Sequence, residues 1–226
     1  MAKQLKVKNH PVVEKQGAKR PPETEGVWSG GRGDLSFNIV IAGIGGQGLI
    51  TLLKIIILAA QKEGYDLATS ELHGLSQRGG SVEVHIRFGK EIFSPLVKQG
   101  GADLIISLET QEALKSCYYA SKEKKTVFLV NNFFSQIPGE KKKFSEKDIL
   151  KNLQKFSQKS VLIDANQICQ KELKNEVVAG IYLLGYAIFK NILPLKSESI
   201  ISAIKKIIPE NYLELNLKAF NLAKSF

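Results

Sequence analysis

The chain has 226 residues, 43% hydrophobic and 24% charged, with a net charge of +10; these proportions exclude fibrous, collagen-like and wholly disordered classes. That length suits one domain of roughly 100–200 residues with an appendage, large enough to bury a core without disulfides or a structural metal. Two cysteines, Cys117 and Cys169, and three histidines supply neither a disulfide framework nor the four thiolates of an iron–sulfur cluster, and leave no metal site to expect.

Residues 1–36 read as a flexible tail. Pro11, Pro21, Pro22 and five glycines interrupt scattered charge, with no periodic apolar pattern. Trp28, the only tryptophan, is placed to pin this tail to the body or to a partner. The N-terminus lacks the apolar block of a secretory signal. No apolar run reaches the roughly 18–20 residues that span a bilayer. The expectation is a cytoplasmic protein without a membrane partner.

At Phe37 the body begins, spanning 37–226. FNIVIA, 37–42, is a short β-branched run expected to form a buried strand. A glycine turn, Gly43 to Gly48, precedes a helix over 49–63 that stops near Gly64. A second strand over 65–70 leads into a polar loop, 71–80. From Ser81 to Phe88 apolar and polar residues alternate: Val82, Val84, Ile86 and Phe88 face one way, Ser81, Glu83, His85 and Arg87 the other. His85 reads as a packed or interfacial histidine. Further strands are expected over 102–107, 126–131 and 161–164, with helices over 110–120, 146–157, 176–190, 197–207 and 212–224. Strands alternating with helices predict an α/β fold: three layers, α/β/α, around a mostly parallel or mixed sheet.

Gly43-Ile44-Gly45-Gly46-Gln47-Gly48 satisfies G-x-G-x-x-G between a strand and a helix. Glycines there let a ligand approach the backbone, and the helix start offers unpaired N–H groups to an anion. Glu71, 23 residues after Gly48, stands where a dinucleotide site wants an acid for the ribose. Three readings stay open: an NAD site, a tight turn needing glycine for packing, and a site for another phosphate or carboxylate.

Ser70 to Ser81, SELHGLSQRGGS, gathers an acid, an imidazole, a guanidinium and hydroxyls among glycines. Arg78, beside Gly79 and Gly80, can form a fork for a carboxylate or phosphate. His73 can titrate near neutrality and carry a proton; Glu71 and His73 are the acid–base candidates. The structural alternative is a mutual hydrogen-bond network of Glu71, His73 and Arg78 that shapes the loop.

Taken together, IAGIGGQGLIT and SELHGLSQRGGSVEVHIRFG resemble the gamma subunit, or gamma domain, of the 2-oxoacid:ferredoxin oxidoreductases. The form with SQRGGSV is most similar to the beta subunit of indolepyruvate ferredoxin oxidoreductase. Ser94-Pro95, Ala102-Asp103-Leu104, Leu184-Gly185 and the stretch from Asn216 to Phe220 add to the resemblance, which covers about 37–223. Two positions depart from the family pattern: Gly180 stands where Asn is common, and Leu75-Ser76-Gln77 replaces a bulkier set. The second favours the arylpyruvate subgroup.

The resemblance implies a division of labour. Thiamine diphosphate and [4Fe-4S] clusters would sit in a larger partner subunit, ferredoxin would accept the electrons, and coenzyme A the acyl group. This chain would be inactive alone and complete the reaction chamber. Gly43, Gly45, Gly46, Gln47, Gly48, Arg78, Gly79 and Gly80 are then the candidate contacts to an anionic part of coenzyme A or to the thiamine-bearing subunit. Between Lys115 and Lys159 eleven lysines face four acids. Without arginine forks or interleaved aromatics this stretch argues against nucleic acid and suits a solvated face or steering of acidic ferredoxin. A stand-alone NAD-dependent dehydrogenase and a non-enzymatic scaffold of the same fold are the competing readings.

Overall fold

The computed structural model describes residues 36–74, 79–135 and 145–225. Of the expected tail, Ser36 alone is described, and it opens β1 (Ser36–Ile44). Trp28 and Arg78 lie outside the described residues.

The apolar run after Phe37 forms a strand buried on both faces, as a continuous β-branched stretch should in a sheet covered on both sides. Five more strands follow: β2 (Asp66–His73), β3 (Ser81–Gly89), β4 (Leu104–Ser107), β5 (Val127–Asn131) and β6 (Lys159–Ile163). The sheet order is β2-β3-β1-β4-β5-β6. β1, β4, β5 and β6 pair in parallel, while β3 runs antiparallel to both β1 and β2. The sheet is therefore mixed.

Ile39 and Ile41 of β1 join the larger core with α1 (Leu49–Lys62), α5 (Ala179–Phe189), α6 (Ser197–Ile207) and α7 (Glu210–Leu222). Val40 points the other way, into a smaller core with Phe128, α2 (Thr110–Lys115) and α3 (Glu146–Leu153). These are the three expected layers. The alternation read in β3 holds: Val82, Val84, Ile86 and Phe88 enter the larger core. Gly64, at φ 81°, ends α1; the Gly64 and Tyr65 N–H groups return to the Gln61 and Ala60 carbonyls, the αL closure glycine favours.

Several boundaries differ from the sequence expectation. β2 continues through His73, because each residue from Asp66 to His73 has a partner on β3. The helix over 110–120 is a six-residue α2 followed by a 3-10 turn, Ser116–Tyr119, and α3 stops at Leu153. α4 (Ala165–Leu173) was not expected; only Ala165 and Cys169 of its nine residues are buried, so its apolar periodicity is weak. No helix among the described residues is long and apolar enough to cross a membrane.

A polar cluster locks the second face of the antiparallel half. Asn38 Oδ1 accepts from Arg87 Nε at 2.8 Å, its Nδ2 donates to the Gly101 carbonyl, and its backbone N–H donates to Asp103. Arg87 also donates to the Ser94 carbonyl. Segments scattered through the chain are thereby joined, and every buried group of Asn38 is satisfied.

Candidate functional site

The four parallel strands end at one edge of the sheet. From β1 the chain turns toward β3 and β2, then crosses to β4 on the opposite side. The β1/β4 junction is thus a topological switch point, where open α/β sheets leave a crevice for ligands. A cavity of about 230 Å³ lies there, lined by Gly46, Gln47 and Gly48 on one side and Leu108, Asn131 and Gly180 on the other.

The glycine turn forms the near wall. Gly43 is the penultimate residue of β1, and a Cβ there would lie 2.7 Å from Gln47 Oε1 and 3.3 Å from Leu108. That oxygen accepts the Ile44 N–H at 2.8 Å, so Gln47 shapes the turn with the atom a ligand would otherwise meet. Gly46 (φ 103°) and Gly48 (φ 84°) occupy conformations that favour glycine. Gly45 donates its N–H to the Gly80 carbonyl at 2.9 Å, which joins the turn to the second glycine pair. Gly79, at φ 70°, has open space where a side chain would stand.

Gly48 caps α1 without a side-chain bond, and no acid occupies the first turn. Its carbonyl takes the Thr51 and Leu52 N–H groups. Among the described residues no acceptor meets the N–H groups of Gly46, Gly48, Leu49 and Ile50, which leaves this helix start open to a negative group.

The far wall is a network of amides. Asn131, 2% exposed, donates through Nδ2 to the Leu108 carbonyl and to Asn166 Oδ1 at 2.7 Å, and accepts the Ala165 N–H. Asn166 in turn donates to Glu176 at 3.2 Å. Asn131, Asn166 and Glu176 were not singled out from the sequence. Their signal was present in part: Asn131-Asn132 closes an expected parallel strand, at the sheet edge where such sites form. Nearby, burial raises the Glu109 carboxyl above the usual value of 4.5, and that carboxylate accepts the Gln111 and Glu112 N–H groups that open α2.

Glu71 and His73 stand apart from this crevice. Both lie on β2 rather than in a loop, and His73 Nε2 is 3.3 Å from Glu71 Oε2 in an exposed pair. His73 and Gly43 flank the same residue of β3, Val82, so a whole strand separates them, roughly 10 Å across the sheet. In a dinucleotide fold the strand bearing the ribose acid neighbours β1. Here β3 occupies that place, and the spacing from Gly48 to Glu71 has no such meaning.

His85 is packed, as expected. It is 1% exposed, its Nδ1 accepts the Val97 N–H at 3.1 Å, and its ring meets Tyr119 edge-on. The His85 imidazole, with Nε2 at 3.9 Å, and then the Tyr119 hydroxyl, 3.0 Å away, hold Glu83 below the usual carboxylate range against the opposing effect of burial. Among the described residues no group of three or more His, Cys, Asp or Glu is placed to hold a metal.

The chain is 36% identical over 197 residues to indolepyruvate oxidoreductase subunit IorB of Archaeoglobus fulgidus, covering 83% of this chain and 94% of that one. Its fold is similar to that of the keto/oxoacid ferredoxin oxidoreductase gamma subunit of Geobacter sulfurreducens, at TM-score 0.61 and 20% identity over 84% of this chain and 96% of that one. It is similar too to part of the 2-oxoglutarate:ferredoxin oxidoreductase of Magnetococcus marinus, at TM-score 0.62 and 20% identity over 85% of this chain and 31% of that longer one. The family model described as pyruvate ferredoxin/flavodoxin oxidoreductase matches residues 38–226, the whole described body beyond its first two residues, and the chain belongs to that family.

Proposed function

We propose that this chain is the cofactor-free subunit of a cytoplasmic enzyme that oxidatively decarboxylates an aryl 2-oxoacid to its coenzyme A thioester. The C1–C2 bond of the oxoacid breaks and carbon dioxide leaves. The acyl carbon bonds to the coenzyme A sulfur, whose proton is released, and two electrons pass singly to ferredoxin. Thiamine diphosphate, held by the larger partner, would supply the carbanion chemistry of that cleavage, and the partner's [4Fe-4S] clusters the electron path. Two cysteines in 226 residues fit a subunit that leaves cluster ligation to another chain.

The observation that carries this reading is the crevice at the β1/β4 switch point with its open helix start. Gly46, Gly48, Leu49 and Ile50 present backbone N–H groups where an anionic part of coenzyme A can rest, and Gly45 ties Gly80 to the same wall. These residues bind and orient; none of them takes or gives a proton. The Magnetococcus marinus protein of the same fold was solved with 2-oxoglutarate, coenzyme A and succinyl-CoA bound. The similarity to the IorB subunit supports an aryl 2-oxoacid as the substrate. Arg78, with Gly79 and Gly80, is proposed to face the partner or the ligand. The lysines between Lys115 and Lys159 are proposed to attract acidic ferredoxin.

The test is reconstitution. Indolepyruvate-dependent reduction of ferredoxin, with coenzyme A consumed, should require both this chain and a thiamine-binding partner. Oxidation of a 2-oxoacid by the purified chain alone would overturn the reading, as would NADH binding in preference to coenzyme A.

A further inference from the structure

The segment that leaves β3 after Gly89 starts opposite Ser36, at the end of the sheet away from the crevice, and side chains of the sheet strap it down. Asp66 of β2 accepts the Ile92 N–H at 3.0 Å, and Arg87 of β3 donates to the Ser94 carbonyl at 2.9 Å. His85 of β3 takes the Val97 N–H on its Nδ1 at 3.1 Å. Val97 is buried in the smaller core with Val40 and Ala102. Phe93 and Leu96 on the same strap are exposed, so these ties hold two apolar side chains in place at the surface.

His85 differs from the other ties in the hydrogen it carries. An Nδ1 that accepts an N–H bears no hydrogen, so the ring's single hydrogen sits on Nε2. That nitrogen is buried and has no hydrogen-bond partner among the described residues; Glu83 Oε2 stands just beyond reach, at 3.9 Å. A second proton would go to Nδ1, the atom that holds the strap. The imidazolium has two donors and no acceptor. The Val97 N–H would then face another N–H, while Nε2–H gains a carboxylate by a small shift of the ring.

The surroundings supply that carboxylate in its charged form. His85 first, and then the Tyr119 hydroxyl, hold Glu83 below the usual carboxylate range. Tyr119, from the 3-10 turn after α2, meets the His85 ring edge-on, and Lys115 of α2 acts on Glu83 as well. Arg87, two residues along β3, is turned to Asn38 and Ser94, and Lys98, beside Val97, is exposed. Val40 of β1 and Ser70 of β2 stand opposite His85, and neither side chain titrates.

We infer that His85 is an acid-released latch on the segment 90–97. A proton from solvent on Nδ1 gives up the Val97 N–H, turns the Nε2 hydrogen to Glu83, and frees the Val97 end of the strap with Leu96 and Phe93 on it. Imidazole ordinarily gains its proton in the mildly acidic range, where carboxylates and guanidiniums keep their charge, so the strap swings about the ties at Ile92 and Ser94. The latch needs no ligand and stands apart from the coenzyme A reading.

The experiment is nitrogen NMR and amide hydrogen exchange on the isotope-labelled full chain, between about pH 8 and about pH 5. At the alkaline end the His85 ring should carry one hydrogen, on Nε2. As the pH falls the ring should gain its second proton, and protection of the Val97 amide, corrected for the intrinsic pH dependence of exchange, should drop about tenfold with the same midpoint, the worth of one hydrogen bond. In Glu83→Gln that midpoint should move to lower pH, because the carboxylate that receives Nε2–H is gone. In His85→Asn, whose Oδ1 can accept the Val97 N–H and does not titrate, protection should stay level. The wild-type ring and amide decide the matter even where a variant fails to fold. A ring that stays singly protonated down to about pH 5, or a second proton taken up with Val97 protection intact, would overturn the latch. So would a midpoint unmoved by Glu83→Gln, or the same drop in His85→Asn.

Discussion

A Cβ on Gly185 would lie 2.4 Å from the carbonyl oxygen of Phe220, so α5 and α7 meet backbone to backbone at this point. Phe220, Leu184 and Ala219 around it are fully buried, and Ala223 Cβ would stand 3.1 Å away, so an added methyl has no free space to enter unless the helices move apart. Gly185→Ala should therefore destabilise the chain by about 3 kcal/mol, the upper range for overpacking a core, although alanine is the better helix former. Urea unfolding followed by circular dichroism measures this; a loss under about 1 kcal/mol would mean that the two helices slide freely.

Gln47 and the glycines beside it should separate shape from ligand contact. Gln47→Ala leaves the Ile44 N–H without its acceptor and should cost about 1–2 kcal/mol. Gly48→Ala places a side chain at φ 84°, a strain of about 1–2 kcal/mol, with no steric clash because nothing lies within 4 Å of that Cβ. Both losses are readable as shifts of the urea midpoint in the unliganded chain. Gly46→Ala and Gly48→Ala proteins that matched wild type in stability would show that the turn adjusts its φ angles.

Glu83 gives the fold an acid-sensitive component. His85 first, and Tyr119 after it, hold the folded carboxyl below the usual value of 4.5, so the folded state binds its proton less readily than the unfolded chain. That stability is fully present above about pH 4.5 and is lost as pH falls through the folded value. Glu83→Gln should lower the urea midpoint at pH 6–7, and the two proteins should converge as the medium is acidified. Parallel midpoint curves from pH 7 to pH 3 would count against the assignment.

The two thiols should be inert while the chain is folded. Burial pushes both Cys117 and Cys169 up to about 11, which leaves roughly a thousandth of each as thiolate at pH 8. Iodoacetamide should label the native protein slowly and the urea-unfolded protein quickly at both positions. For Cys169, wholly buried on α4, the native rate should track global unfolding. Rapid labelling of Cys169 under native conditions would instead reveal local opening of α4.

Much of the site was legible because its chemistry is local. A strand, a glycine turn and a helix follow one another from Phe37 to Lys62, and positive φ at Gly46 and Gly48 is a demand that backbone sterics make on one residue at a time. The alternation of β3 was legible for the same reason, since a half-covered strand repeats every two residues. α4 escaped notice because most of its nine residues face outward, and the 3-10 turn after α2 breaks a helix that composition alone would have continued.

What local pattern could not supply was which strand lies beside which. Glu71 stands at the spacing a ribose-binding acid would have, yet β3 inserts between β1 and β2 and carries it a strand away from the turn. Asn131, Asn166, Glu176 and Gly180 come from three separate stretches and meet the glycine turn only because the chain crosses the sheet between β3 and β4 and lays α5 against α1. Hydrophobic periodicity acts over one or two turns of chain and is written in the residues themselves; strand order and helix docking are settled by the burial of whole faces against one another, a property of the assembled core.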